Sequence, residues 1–114
     1  MANRYCFALD LKNDPQLIAE YELHHKAVWP EVLRNMREIG ILDMEIYRTG
    51  TRLFMTLETN DDFSIERKAL ADAQNASTQA WETLMWKYQQ ALPNSAAGEK
   101  WVPMKKIFSL KDQP

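Results

Sequence analysis

The chain has 114 residues, 14 of them Lys or Arg and 16 Asp or Glu, for a net charge of −2 with both histidines neutral. This length suits one compact domain over residues 1–114, and the interspersed charges leave no basic patch for nucleic acid. No apolar run is long enough for a membrane span, the first residues read as a strand rather than a signal peptide, and the single cysteine, Cys6, fits a reducing, cytoplasmic setting without an internal disulfide.

Residues 4–11 read as a strand, because Tyr5, Phe7, Leu9 and Leu11 alternate with Cys6, Ala8 and Asp10. Asn13-Asp14-Pro15 opens a helix, with Asp14 as N-cap and Pro15 at the first helical position. The helix is expected to run to Ile39 and to stop at Gly40. Pro30 interrupts it, since proline has no N–H for the carbonyl of Lys26, so a kink or break is expected just before Trp29-Pro30-Glu31. Residues 41–48 and 52–58 read as strands joined by a Thr49-Gly50 turn. Residues 60–64 are rich in capping side chains and precede a helix to about residue 72. Asn75 caps a further helix over residues 76–92, stopped by Pro93, with Trp81, Leu84, Tyr88 and Leu92 at helical spacing. A loop over residues 94–100 leads to a last strand, residues 102–110.

The order β-α-β-β-α-β, with its second helical region split, predicts the α+β class: a ferredoxin-like antiparallel sheet with helices on one face. Its other face is bare. Folds of this kind often cover that face by pairing two sheets into a dimeric α/β barrel, so a homodimer is expected.

Chemistry concentrates on the first helix. Stepping about 100° per residue places Ile18, Tyr21, His25, Val28, Val32, Met36 and Ile39 on one stripe, with His25 roughly 20° from its centre and His24 roughly 80° away. His25 therefore points to the core or a pocket beside Tyr21, and His24 sits on the flank, one turn after Glu20. Such a histidine is either a buried neutral imidazole with satisfied hydrogen bonds or a general acid/base working near neutral pH. Helical spacing by itself favours the first. Adjacent helical residues diverge too far for His24 and His25 to share one ion, and no cysteine cluster or i+4 histidine partner exists, so no metal site is expected. Trp29, Trp81, Trp86 and Trp101 are many for this length. Most tryptophans in small domains are core, yet an aromatic face also suits the C–H face of a sugar ring. Trp86 lies off the Trp81/Tyr88 stripe, and Met85 beside it is core filler by default. The 3 glycines form no phosphate loop, and no nucleophile motif or carboxylate pair stands out.

Glu20-Tyr21, His25 and Trp29-Pro30-Glu31 together resemble the signature of the L-rhamnose mutarotase family. Glu45-Ile46-Tyr47 after Gly40, and Trp86-Lys87-Tyr88 ahead of Leu92-Pro93, extend the resemblance over nearly the whole chain. It implies a dimeric α/β barrel that interconverts the anomers of a 6-deoxy-L-hexose without a cofactor or metal. It also implies His25 as the acid/base, Tyr21 in the sugar pocket, and Trp86 as the second of two adjacent pocket tryptophans. Met44 and Met85 stand where the rhamnose pattern has a tyrosine and the first of those tryptophans; by side-chain chemistry they would line an apolar site for the C6 methyl. Residues 4–10 and Glu99-Lys100-Trp101 look more like an L-fucose branch, so L-fucose is the expected substrate and L-rhamnose the alternative. Two other readings fit the same fold type: a cofactor-independent oxygenase or haem-degrading enzyme, and a non-catalytic sugar-binding dimer.

Overall fold

The computed structural model describes residues 3–114. Strand β1 (Asn3–Leu11) is followed by helices α1 (Pro15–His24) and α2 (Pro30–Glu38), strands β2 (Ile41–Thr49) and β3 (Arg52–Thr59), helices α3 (Ile65–Gln74) and α4 (Ala76–Trp86), and short strands β4 (Gln89–Gln90) and β5 (Val102–Pro103). The sheet runs β2-β3-β1-β4, with β5 also on β1, and every pairing is antiparallel. This is the ferredoxin-like order anticipated from the alternation of elements, with β4 and β5 sharing the place of one last strand.

The alternation foreseen in the sequence decides which sheet face is covered. Leu9 and Leu11 of β1 and Leu53, Met55, Leu57 and Thr59 of β3 are buried. In β2 a register shift between Ile41 and Asp43 leaves Leu42 exposed and returns Met44 and Ile46 to the packed side. Arg4, Glu45, Tyr47, Phe54 and Glu58 line a hollow on the other side of the sheet, and among the described residues the helices pack on the opposite face, against Leu11, Leu53, Met55 and Leu57.

One expected break is present, and two expected elements are shorter than the sequence indicated. Of the kink or break expected within residues 15–39, the structure shows the break: α1 ends at His24 and α2 starts at Pro30. Trp29, forced out of the helical region before proline, takes φ −57 and ψ 133, and the chain restarts with Pro30 at the first position of α2. The helix expected over residues 76–92 ends at Trp86, because the N–H groups of Lys87 and Tyr88 turn back to Leu84 and Met85 and release Gln89 to pair with Leu11. The strand expected over residues 102–110 shrinks to Val102–Pro103. Pro103 brings no N–H, and the ladder finishes with Met104 N–H donating to the Cys6 carbonyl at 2.8 Å.

Side-chain polar groups fix the helix layer. Asp14 accepts from the N–H groups of Gln16 and Leu17 at the start of α1. Asn75 ends α3 and caps α4 through Thr78 N–H. Buried Asn35 of α2 donates to Asp72 of α3 at 2.7 Å and to Thr78 of α4 at 3.2 Å, and Lys68 pairs with the same Asp72. Gly40, at φ +100, ends α2 with the Asn60 side chain filling the space a Cβ would need.

Candidate functional site around His25

The break before Pro30 creates the site. α1 ends at His24, and residues 25–27 tighten into a turn whose N–H groups reach three residues back: His25 to Glu22, Lys26 to Leu23, Ala27 to His24. Both histidines therefore sit where the helix ends, and their rings converge on one tryptophan. Trp81 of α4 meets His25 at 5.7 Å and His24 at 6.4 Å between ring centroids, edge to face in both cases. Trp29 closes on the same indole at 5.2 Å.

His25 Nδ1 lies 2.8 Å from the backbone carbonyl of Tyr21, one turn earlier. A carbonyl only accepts, so Nδ1 carries the proton, and in the neutral ring Nε2 carries the lone pair. Among the described residues no side chain bonds to that nitrogen. Burial lowers the proton affinity of His25 below the ordinary histidine value; the bond to the Tyr21 carbonyl partly restores it, and charge on His24 lowers it further. The result is an imidazole held neutral around pH 7 with a basic nitrogen free, which is what a general base requires.

Tyr21 completes the floor. Its ring lies 4.5 Å from the His25 ring, and its hydroxyl accepts from the Gln89 side-chain amide at 3.1 Å. Both residues are buried. Burial raises the Tyr21 pKa and the Gln89 bond opposes that, so the phenol stays protonated. On the other flank, His24 Nε2 and Tyr88 Oη are 3.1 Å apart, and Tyr88 donates to Glu20 at 3.1 Å.

The residues singled out from the sequence are distributed as follows. His25 and Tyr21 are in ring contact. Met85 is buried in the cluster that also holds Tyr21, Trp81 and Tyr88. Met44 packs on the second cluster, with Ile39, Ile41, Met55, Leu57 and Phe63. Trp86 is exposed at the end of α4, with Lys100 Nζ 5.1 Å above its ring; the rings against His25 are those of Tyr21 and Trp81. Trp81 and Tyr88 were legible only as a core stripe, and Gln89 carried no signal. His24, still within α1, lies on the flank one turn after Glu20, and Tyr88 bridges the two. The Glu20/His24 spacing was the one available hint of its partners.

His25 lines neither of two surface hollows, one of about 490 Å³ along Pro30, Leu33, Arg34, Arg37 and Glu38, the other of about 400 Å³ on the open sheet face. Among the described residues no three His, Cys, Asp or Glu side chains converge as metal ligands, and no helix is long and apolar enough to cross a membrane.

The model of a family described as L-rhamnose mutarotase matches residues 4–110. An L-fucose mutarotase of Xanthomonas campestris pv. campestris is 46% identical over 111 residues, covering 96% of this chain and 89% of that protein. An L-rhamnose mutarotase of Acidiphilium cryptum is 27% identical over 108 residues, covering 90% of this chain and 95% of its own. The crystal structure of an L-rhamnose mutarotase from Formosa agariphila shares the fold, with a TM-score of 0.69 at 21% identity over 95% of this chain and 98% of that one.

Proposed function

The chain belongs to the L-rhamnose mutarotase family, and from that premise we propose that it interconverts the α and β anomers of a 6-deoxy-L-hexose, with L-fucose the first choice and L-rhamnose the second. The observation that carries the chemistry is the His25 ring, fixed through Nδ1 on the Tyr21 carbonyl with Nε2 left basic. Mutarotation needs little more. The anomeric O–H gives its proton to His25 Nε2 as the bond between C1 and the ring oxygen breaks, and the protonated imidazole hands that proton to the ring oxygen, leaving the open-chain aldehyde and a neutral His25. The aldehyde then turns about C1–C2, and the reverse transfers close the ring on its other face. Every proton moves between oxygen and nitrogen, so the scheme requires no cofactor and no metal. A positioned acid/base of this kind contributes about 10²–10⁴-fold.

Tyr21 holds a sugar hydroxyl with its phenol proton. Trp86 offers an exposed aromatic face, and Met44 the half-buried apolar side chain assigned to the C6 methyl. Met85, buried, supports this floor. The assembly is a homodimer closed sheet to sheet into an α/β barrel. Two features support it: a sheet face without helices among the described residues, and the exposed apolar side chains Met104, Ile107, Phe108 and Leu110 after β5. The single domain spans residues 1–114, of which residues 1 and 2 lie outside the described residues, and the lone Cys6 supports a cytoplasmic setting.

Polarimetry on freshly dissolved single-anomer L-fucose and L-rhamnose tests the proposal. Relaxation faster than buffer with one of them, first order in protein, is expected. Buffer rates with both would remove the catalytic reading and leave a sugar-binding protein.

A further inference from the structure

The acid/base scheme makes no use of a hydrogen-bonded chain beside it. Tyr88 Oη lies 3.1 Å from Glu20 Oε1 and 3.1 Å from His24 Nε2. A phenol has one proton. Donated to the Glu20 carboxylate, it leaves the phenol oxygen as an acceptor, and His24 must then present Nε2–H to it. Tyr88 is only 2% exposed, so the middle of the chain is dry, and such a group is kept where its bonds are complete. Two segments distant in sequence are joined here: the last turn of α1 and the turn after α4.

The charged and titrating groups around His24 are few. Tyr88 bonds it from the turn after α4 and carries Glu20 of α1 as its own acceptor, while His25, the next residue, interacts with it electrostatically and packs against Tyr21. Lys87 places Nζ 5.3 Å from the Tyr88 ring, and Glu22 is paired with Arg48 of β2. Trp81 packs edge to face on the His24 ring without charge. His24 and His25 are neighbours in sequence against one indole, so a proton on one ring repels a proton from the other.

We infer that Glu20, Tyr88 and His24 form a positioning relay for His25: the chain fixes the His24 ring with Nε2–H on the Tyr88 oxygen, and the ring so held beside His25 disfavours a proton there, so that His25 keeps its lone pair. None of the three is a catalytic residue; they act through His25. The inference rests on the mutarotase reading for its purpose, but its physical content is a coupling between two rings that holds whatever the substrate.

The experiment follows the ring Cε1–H of His25 by proton NMR through a pH titration, in wild type, Tyr88→Phe and His24→Gln. Without the link to Glu20, or without His24 itself, the His25 midpoint moves up by roughly half a pH unit. The double variant moves no further than His24→Gln alone, because both cuts fall on one chain. Circular dichroism and a cooperative urea transition establish that each variant is folded, and Tyr88→Phe keeps the ring that packs. A His25 midpoint unmoved in a folded Tyr88→Phe would overturn the relay. In the active enzyme the acid limb of kcat/KM rises by the same amount, with the plateau at higher pH retained; a purely structural role would lower the plateau and leave the limb in place. Should the NMR midpoint move while the kinetic limb does not, the relay stands and His25 is not the base.

Discussion

The bond between Tyr21 and Gln89 can be separated from the packing around it. Tyr21 and Gln89 are 3% and 5% exposed, and the amide N–H reaches the phenol oxygen at 3.1 Å. Tyr21→Phe keeps the ring against His25 and Tyr88 but strands the Gln89 donor in a dry site, a loss of about 1–3 kcal/mol. Gln89→Leu strands the phenol oxygen instead, at a similar cost of about 1–3 kcal/mol. The double variant removes both partners and leaves an apolar contact of similar shape, so its loss is close to that of one single variant or smaller. The coupling is then about 1–2 kcal/mol, or roughly 4–8 °C in the midpoint of thermal unfolding for a chain of this size. Urea unfolding of the four proteins at equal slope measures it. Single losses that add to within about 0.5 kcal/mol would refute the reasoning, because independent sites behave that way.

Other consequences are equally direct. Burial keeps folded His25 below the ordinary histidine pKa of about 6.5, so as pH falls the unfolded chain takes the proton first. Stability conferred by neutral His25 is complete above that value and is lost as pH falls through the folded pKa. Urea midpoints from about pH 4.5 to 7.5 therefore fall less steeply in His25→Gln than in wild type, and equal slopes would contradict the burial. Thr59 is fully buried and among the described residues its hydroxyl has no partner, so Thr59→Val is neutral or stabilising by up to about 1 kcal/mol, and a clear loss on thermal unfolding would contradict this. Asp72→Ala removes the acceptor shared by Asn35 and Lys68 and costs about 2–4 kcal/mol in urea unfolding; a loss under about 0.5 kcal/mol would mean that the network does not hold α2 to α3.

The sheet was legible because its code is local. Alternation in β1 and β3, a glycine turn between β2 and β3, and capping residues before α1, α3 and α4 each act over a few residues, and each is where the sequence placed it. What was not legible depends on partners far along the chain. The end of α4 at Trp86 is set by Gln89 pairing with Leu11, and the shortness of β5 by its position on β1. The same division runs through the site. Tyr21 and His25, one helical turn apart, were paired from spacing. Tyr88 and Gln89 are each 68 positions from a partner, Glu20 and Tyr21, and read as part of the helix expected over residues 76–92, Tyr88 as one of its core positions. Pro30 marked a break, but its consequence, two histidines turned toward one tryptophan, follows from where α4 lies.

The most direct test of the central claim, that His25 moves the proton on a 6-deoxy sugar, is anomer exchange by proton NMR saturation transfer on L-fucose and L-rhamnose, with wild type and His25→Ala at equal concentration. The account predicts exchange well above buffer with one of the two sugars, stronger for L-fucose, and a return to the buffer rate in His25→Ala. Undiminished exchange in the folded variant would contradict it, and the proton would have to move through another group.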